Sequence, residues 1–95
     1  MSKQLRKLPR KFTMPWGNGQ VVDEVGVETE YNELVIQLLR YDELPGDSLR
    51  FCQYWLDGRF QRQPMMIRES DLARMREALR RSPEIKELLK RLVED

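Results

Sequence analysis

The sequence predicts an α+β domain. A small antiparallel sheet of three to four strands is followed by a C-terminal kinked helix or two helices. Three observations predict it. Residues 33–41 and 48–56 are apolar runs rich in strand formers, separated by a loop that contains Pro45-Gly46. Asp57-Gly58 follows the second run directly, a tight-turn signal that opens a return strand. Beyond Ser70 the apolar spacing changes from two residues to three and four, the period of a helix packed on one face.

The elements are justified in chain order. Residues 1–12 hold five bases and no acid and lack periodicity, so residues 1–19 read as a basic, partly mobile arm and turn ahead of a single domain over residues 20–95. Asn18-Gly19 tolerates positive φ, which predicts a short hairpin pairing Phe12 to Met14 with Gln20 to Val25. Glu33 to Tyr41 and Ser48 to Leu56 are the central strands. Arg59 to Ile67 is the return strand, with Pro64 marking a bulge or an edge. Ser70-Asp71 can cap a helix with Leu72, Met75 and Leu79 on one face. Ser82-Pro83-Glu84 is a second start, with Ser at N-cap and Pro in the first turn. Pro83 would clash with the preceding turn of a straight helix, which accounts for the expected break.

Period-two splitting puts Leu34, Ile36 and Leu38 on one side of the first central strand, and Val35 and Leu39 on the other. One helix layer covers one face. The second apolar face, and the stripe of Ile85, Leu88, Leu89 and Leu92, predict a homodimer with those four residues in the core or at the dimer contact.

Composition narrows the function. The chain has 95 residues, no His and one Cys, which excludes imidazole-based triads, imidazole metal ligands and an intrachain disulfide. No apolar run is long enough for a membrane span or a secretory core, so a cytoplasmic protein without a membrane partner is expected. No phosphate-binding loop, dinucleotide fingerprint or metal spacing is present, and the carboxylates lack apolar flanks that would tune them for acid–base work. No enzyme and no cofactor are expected. Net charge is only +1, but it is unevenly placed: residues 20–47 carry eight acids against Arg40.

The run Leu49-Arg50-Phe51-Cys52-Gln53-Tyr54-Trp55-Leu56-Asp57-Gly58, with Leu39-Arg40-Tyr41 before it and the Ile85 to Leu92 helix after it, resembles the transcriptional positive cofactor 4 family. The resemblance covers roughly residues 34–92. It implies a curved antiparallel sheet backed by a helix, a dimer, and binding of single-stranded DNA in transcription. It also implies that Trp55 stands at the DNA surface, that Tyr41 lies near a stacking aromatic, and that Arg40, Arg59 and Arg62 lie among the basic contacts. The hairpin Arg62-Gln63-Pro64-Met65-Met66-Ile67 carries less charge than that family's.

The residues point the same way by themselves. Single-strand binders combine aromatic platforms with a basic track. Tyr41, Tyr54, Trp55 and Phe60 interleave with Arg40, Arg50, Arg59 and Arg62. Phe51 and Phe60 read as core and Cys52 as a small buried apolar residue; the N-terminal arm reads by itself as a solubilising tail, and beside the resemblance as an arm able to grip phosphate. The expected function is therefore single-stranded DNA or RNA binding, in a homodimeric transcription cofactor or regulator that also contacts the transcription machinery. The alternative is a protein-interaction module on the same fold that does not bind nucleic acid.

Overall fold

A computed structural model describes residues 6–94. Five strands form one antiparallel meander in the order β1-β2-β3-β4-β5: β1 Arg10–Met14, β2 Gly17–Glu28, β3 Asn32–Tyr41, β4 Asp47–Trp55 and β5 Phe60–Gln61. A single 3-10 turn, Glu69–Asp71, leads into α1 Leu72–Leu79, and α2 Pro83–Val93 follows. The α+β class and the paired helices are as expected; the sheet has five strands rather than three or four.

The β3–β4 ladder runs without a break from Asn32↔Trp55 to Arg40↔Asp47, so the central hairpin matches the sequence reading within a residue. Gly46 and Gly58 both hold positive φ in the loops that follow β3 and β4, the conformation for which glycine is suited.

Two local readings need correction. The β1–β2 turn is Pro15-Trp16, because Met14 pairs with Gly17 and Thr13 with Asn18. Asn18-Gly19 lies inside β2 instead. A Cβ at Gly19 would meet the Arg40 carbonyl oxygen at 2.3 Å and Tyr41 Cα at 2.8 Å, so this glycine serves close strand approach rather than a turn. The return strand is also shorter than expected. After Gln61 the chain leaves the sheet, Gln53 Nε2 donates to the carbonyls of Gln63 and Pro64, and Met65 and Ile67 pack against the helix-side core. Pro64 cannot donate to a ladder, consistent with a strand that ends early.

The main core lies between the sheet and the helices. Val25, Val27, Leu34, Ile36 and Leu38 meet Met75, Ala78 and Ile85 there. The register slips between Val21 and Asp23, so that Val22 packs on this core beside Asp23's contact with the second helix start. Ser82 caps α2 as predicted, accepting from the Ile85 N–H. Asp71 stands at the start of α1 without a side-chain cap and pairs with Arg74 instead. Within the predicted helix faces, Met75 is buried and Leu72 exposed. Ile85 is fully buried, Leu88 and Leu89 are half-buried against the core, and Leu92 is 70% exposed.

The other face carries its own buried clusters, Phe12–Val21–Leu39 and Val35–Cys52–Tyr54, although among the described residues no helix covers it. The sheet curls into a half-barrel around them. Arg50 Cζ lies 5.8 Å from the Phe12 ring on β1 and 5.4 Å from the Phe60 ring on β5. In a flat sheet those outer strands would stand about 19 Å apart. This side is therefore the inner face, and the helix-covered side the outer face.

Candidate nucleic-acid interface

Alternation decides which side chains share the inner face. From the registers they are Glu33, Val35, Gln37, Leu39 and Tyr41 on β3, with Ser48, Arg50, Cys52 and Tyr54 on β4. Glu24 stands opposite Gln37, and Gln37 opposite Arg50, so three polar side chains form a row across β2, β3 and β4.

Gln37 is fully buried at the centre of that row. Its Oε1 accepts from Arg50 Nε at 2.7 Å, and its Nε2 donates to Glu24 Oε1 and to the Tyr54 hydroxyl, each at 2.9 Å. The amide thus separates Arg50 from Glu24. Glu24 is taken by the N-terminal arginines: Arg10 binds it through two nitrogens, at 2.9 and 3.1 Å, and Arg6 Nε at 3.2 Å. Burial acts first on the Glu24 carboxyl and pushes its pKa up. The bonds from Arg10 and Gln37 and the charges of Arg6 and Arg10 outweigh it and hold the carboxyl below its ordinary range. Arg6 also pairs with Glu33 at 3.0 Å and lies 3.9 Å above the Tyr54 ring.

The basic arm and the acidic stretch, separate charge blocks in the sequence, therefore neutralise each other in part. Arg6 and Arg10 are folded onto the sheet rather than extended toward a ligand; Lys3 lies outside the described residues. Arg50 differs. Among the described residues it has no carboxylate partner, and its guanidinium sits between the Phe12 and Phe60 rings beside a neutral amide.

The predicted site residues divide. Tyr41 and Arg50 share the inner face. Arg40 and Trp55 fall on the outer one, because each is an odd number of residues from its expected companion on the same strand. Arg40 is held by Asp47 through two bonds of 2.9 Å. Trp55, 37% exposed, sits opposite Asn32 at the far end of the sheet. Eight residues of strand, about 27 Å, separate that end from Arg40 and Tyr41. Arg59 is exposed at the β4–β5 turn and pairs with Asp57 at 2.8 Å. Arg62 is exposed just beyond β5, with no ion pair among the described residues.

The structure adds residues that the sequence reading placed elsewhere. Phe60 is 47% exposed and Phe51 46% exposed, so neither is core. Phe60 meets Tyr54 edge-on at 5.4 Å on the inner face. Trp16, 65% exposed at the β1–β2 turn, reaches the Tyr41 hydroxyl, and its bond, together with one from Ser48, lowers the Tyr41 pKa. Phe12 packs edge-on against Tyr41 at 5.5 Å. The period-two alternation of Arg10, Phe12 and Met14 was the signal that could have placed β1 on this face.

The inner face thus presents a line from Trp16 and Tyr41 at one end, through Arg50, to Phe60 at the other. A cavity of about 220 Å³ lies at the Tyr41 end, lined by Trp16, Tyr41, Asp42, Glu43 and Leu44. The carboxylates of Asp42 and Glu43 give that end of the face a negative charge. Compared with protein-family models, curated proteins and solved structures, the chain matches none. Among the described residues no cluster of His, Cys, Asp and Glu is arranged to hold a metal ion, and no helix is long and apolar enough to cross a membrane.

Proposed function

We propose that this protein binds single-stranded nucleic acid along the inner face of the half-barrel. Arg50 carries the reading. It is a half-exposed guanidinium between two rings, joined to an amide and to no carboxylate among the described residues. Such a group receives a phosphate while neighbouring rings receive bases. Tyr41 and Phe60 flank it along the strands, a span suited to about four or five nucleotides. The likeness to the positive cofactor 4 family supports the same reading and suggests a role in transcription, although Arg40 and Trp55 leave this site.

The charge balance makes the ionic contribution small. Arg50 and Arg62 would neutralise about two phosphates, for a salt slope near −1.4 on a single strand. The test is fluorescence anisotropy with labelled oligo-dT and a duplex of equal length at two salt concentrations. Preference for the single strand, with a shallow slope, is the expected result. Replacing Arg50 with Gln should weaken binding and reduce the slope by about 0.7. No affinity for oligo-dT at low salt overturns the proposal and leaves the protein-interaction module, which the neutralised Arg6 and Arg10 favour.

A further inference from the structure

The hollow of about 220 Å³ at the Tyr41 end of the inner face joins aromatic rings to carboxylates. It stands on paired backbone. Tyr41 closes the β2–β3 ladder opposite Gly19, and the Asp42 N–H extends the pairing by donating to the Asn18 carbonyl at 2.9 Å. Phe12 packs edge-on against the Tyr41 ring, and the Tyr41 hydroxyl is already engaged by Trp16 and Ser48. The two aromatics therefore offer ring surface, and the charged side chains that border the hollow are Asp42 and Glu43. These two acids differ. Asp42 also borders a second hollow with Lys11, Thr13 and Gln20. Those three are sequence neighbours of the inner-face residues Phe12 and Val21, so they point to the outer side. Glu43 borders the hollow of Trp16 and Tyr41. It is exposed, and among the described residues neither an ion pair nor a hydrogen bond engages its carboxylate.

An ionised carboxylate only accepts hydrogen bonds, so beside a stacking surface it selects a base by the N–H groups on that base's edge. The bases differ there. Guanine carries two adjacent donors on its pairing edge, N1–H and N2–H, which can meet both oxygens of one carboxylate. Thymine sets a single N3–H between two carbonyl oxygens, and those oxygens would face the carboxylate. Adenine and cytosine each offer an amino group beside a ring nitrogen that is itself an acceptor. We propose that Glu43 makes this hollow a guanine-selective subsite of the inner face, with the base stacked on the Trp16 and Tyr41 rings and its N1–H and N2–H donated to the two Glu43 oxygens. The inference rests on the single-strand reading above and adds to it a preferred base. It also gives the acid at this end a role that the basic track cannot fill, since Arg50 and Arg62 are donors only. Stacking by itself accepts any base, so selectivity comes from the hydrogen-bonding group beside the rings.

The test is competition anisotropy with oligo-dT and with the same oligomer carrying one dG, one dA or one deoxyinosine. A single guanine per strand avoids four-stranded G structures. The dG oligomer should bind about five- to tenfold more tightly than oligo-dT, the low end for a two-bond base contact because Glu43 is exposed. The dA oligomer should bind like oligo-dT, which separates edge recognition from purine stacking. Deoxyinosine keeps N1–H but lacks the N2 amino group, and it should lose most of the gain. Glu43→Gln should bring the dG and oligo-dT affinities together, because an amide presents one acceptor oxygen where the carboxylate presents two. Glu43 is an exposed loop residue, so the circular dichroism spectrum of this variant should match the parent's. Asp42→Asn should keep the preference. Equal affinity of the parent for dG and all-dT oligomers overturns this inference and leaves the single-strand reading in place; no affinity for any of them overturns both. A preference that survives Glu43→Gln, that disappears in Asp42→Asn, or that dA or deoxyinosine shares in full also overturns the assignment to Glu43.

Discussion

The Ser82 hydroxyl donates a hydrogen bond of 2.6 Å to Asp23 Oδ2, joining the first residue of the α2 cap to the bulge of β2 across 59 residues. The same oxygen accepts from the Ile85 N–H at 3.3 Å, and Ser82 is fully buried. One side chain thus starts a helix and fixes where that helix sits on the sheet.

Ser82→Ala removes both bonds and leaves a carboxylate facing an apolar methyl. It should lower stability by about 1–3 kcal/mol in urea titration. Asp23→Asn keeps an acceptor for the hydroxyl and should cost less. Equal losses for the two would show that the helix cap and the bulge contact are not coupled in this way.

Gly19→Ala should be destabilising by about 1–3 kcal/mol, because its Cβ would press on the Arg40 backbone, which cannot move without separating the strands. Gly17→Ala is the control. Its Cβ would meet only Tyr41 Cδ1, at an ordinary 3.7 Å, and denaturant midpoints for that variant should stay close to the parent's.

Acid should weaken the inner face through Glu24. Its folded pKa lies below the ordinary 4.5, so the unfolded chain takes up the proton first as pH falls. The stability this contributes is complete above the unfolded value and is lost as pH drops through the lower, folded one. Glu24→Gln should cost about 1.5–3 kcal/mol at pH 7, as bonds to a charged acceptor are lost, and should flatten the acid limb of a stability–pH curve. A limb as steep as the parent's would assign the acid sensitivity to other carboxylates.

Binding should distinguish the two faces of the sheet. Phe60→Ala should weaken oligo-dT binding by about 1–3 kcal/mol with the salt slope unchanged, because stacking is not ionic. Trp55→Ala should bind like the parent, since Trp55 lies on the outer face. The reverse result in anisotropy titrations would move the interface to the helix-covered side.

Much of the architecture was determined by the sequence itself. The β3–β4 hairpin, the Asp57-Gly58 turn that leads from β4 into β5, and the Ser82-Pro83 break between helices are set by interactions within a few residues, and all appear where alternation, glycine and proline place them. The face assignments of Leu34 to Leu39 followed from period two alone. What only the tertiary structure decided involves partners distant in the chain. Asn18-Gly19 has turn chemistry, yet crowding against Arg40 and Tyr41 on the neighbouring strand makes Gly19 a strand residue. Arg6 and Arg50 are both arginines among aromatics. One is neutralised by Glu24 and Glu33, and the other has no carboxylate partner among the described residues because Gln37 stands between it and Glu24. Tyr41 and Trp55 look equivalent as strand-end aromatics but lie on opposite faces at opposite ends. Local propensity acts over a few residues and survives in any fold that allows it, whereas the charge state and exposure of a site depend on which distant side chains the curled sheet brings within about 3 Å.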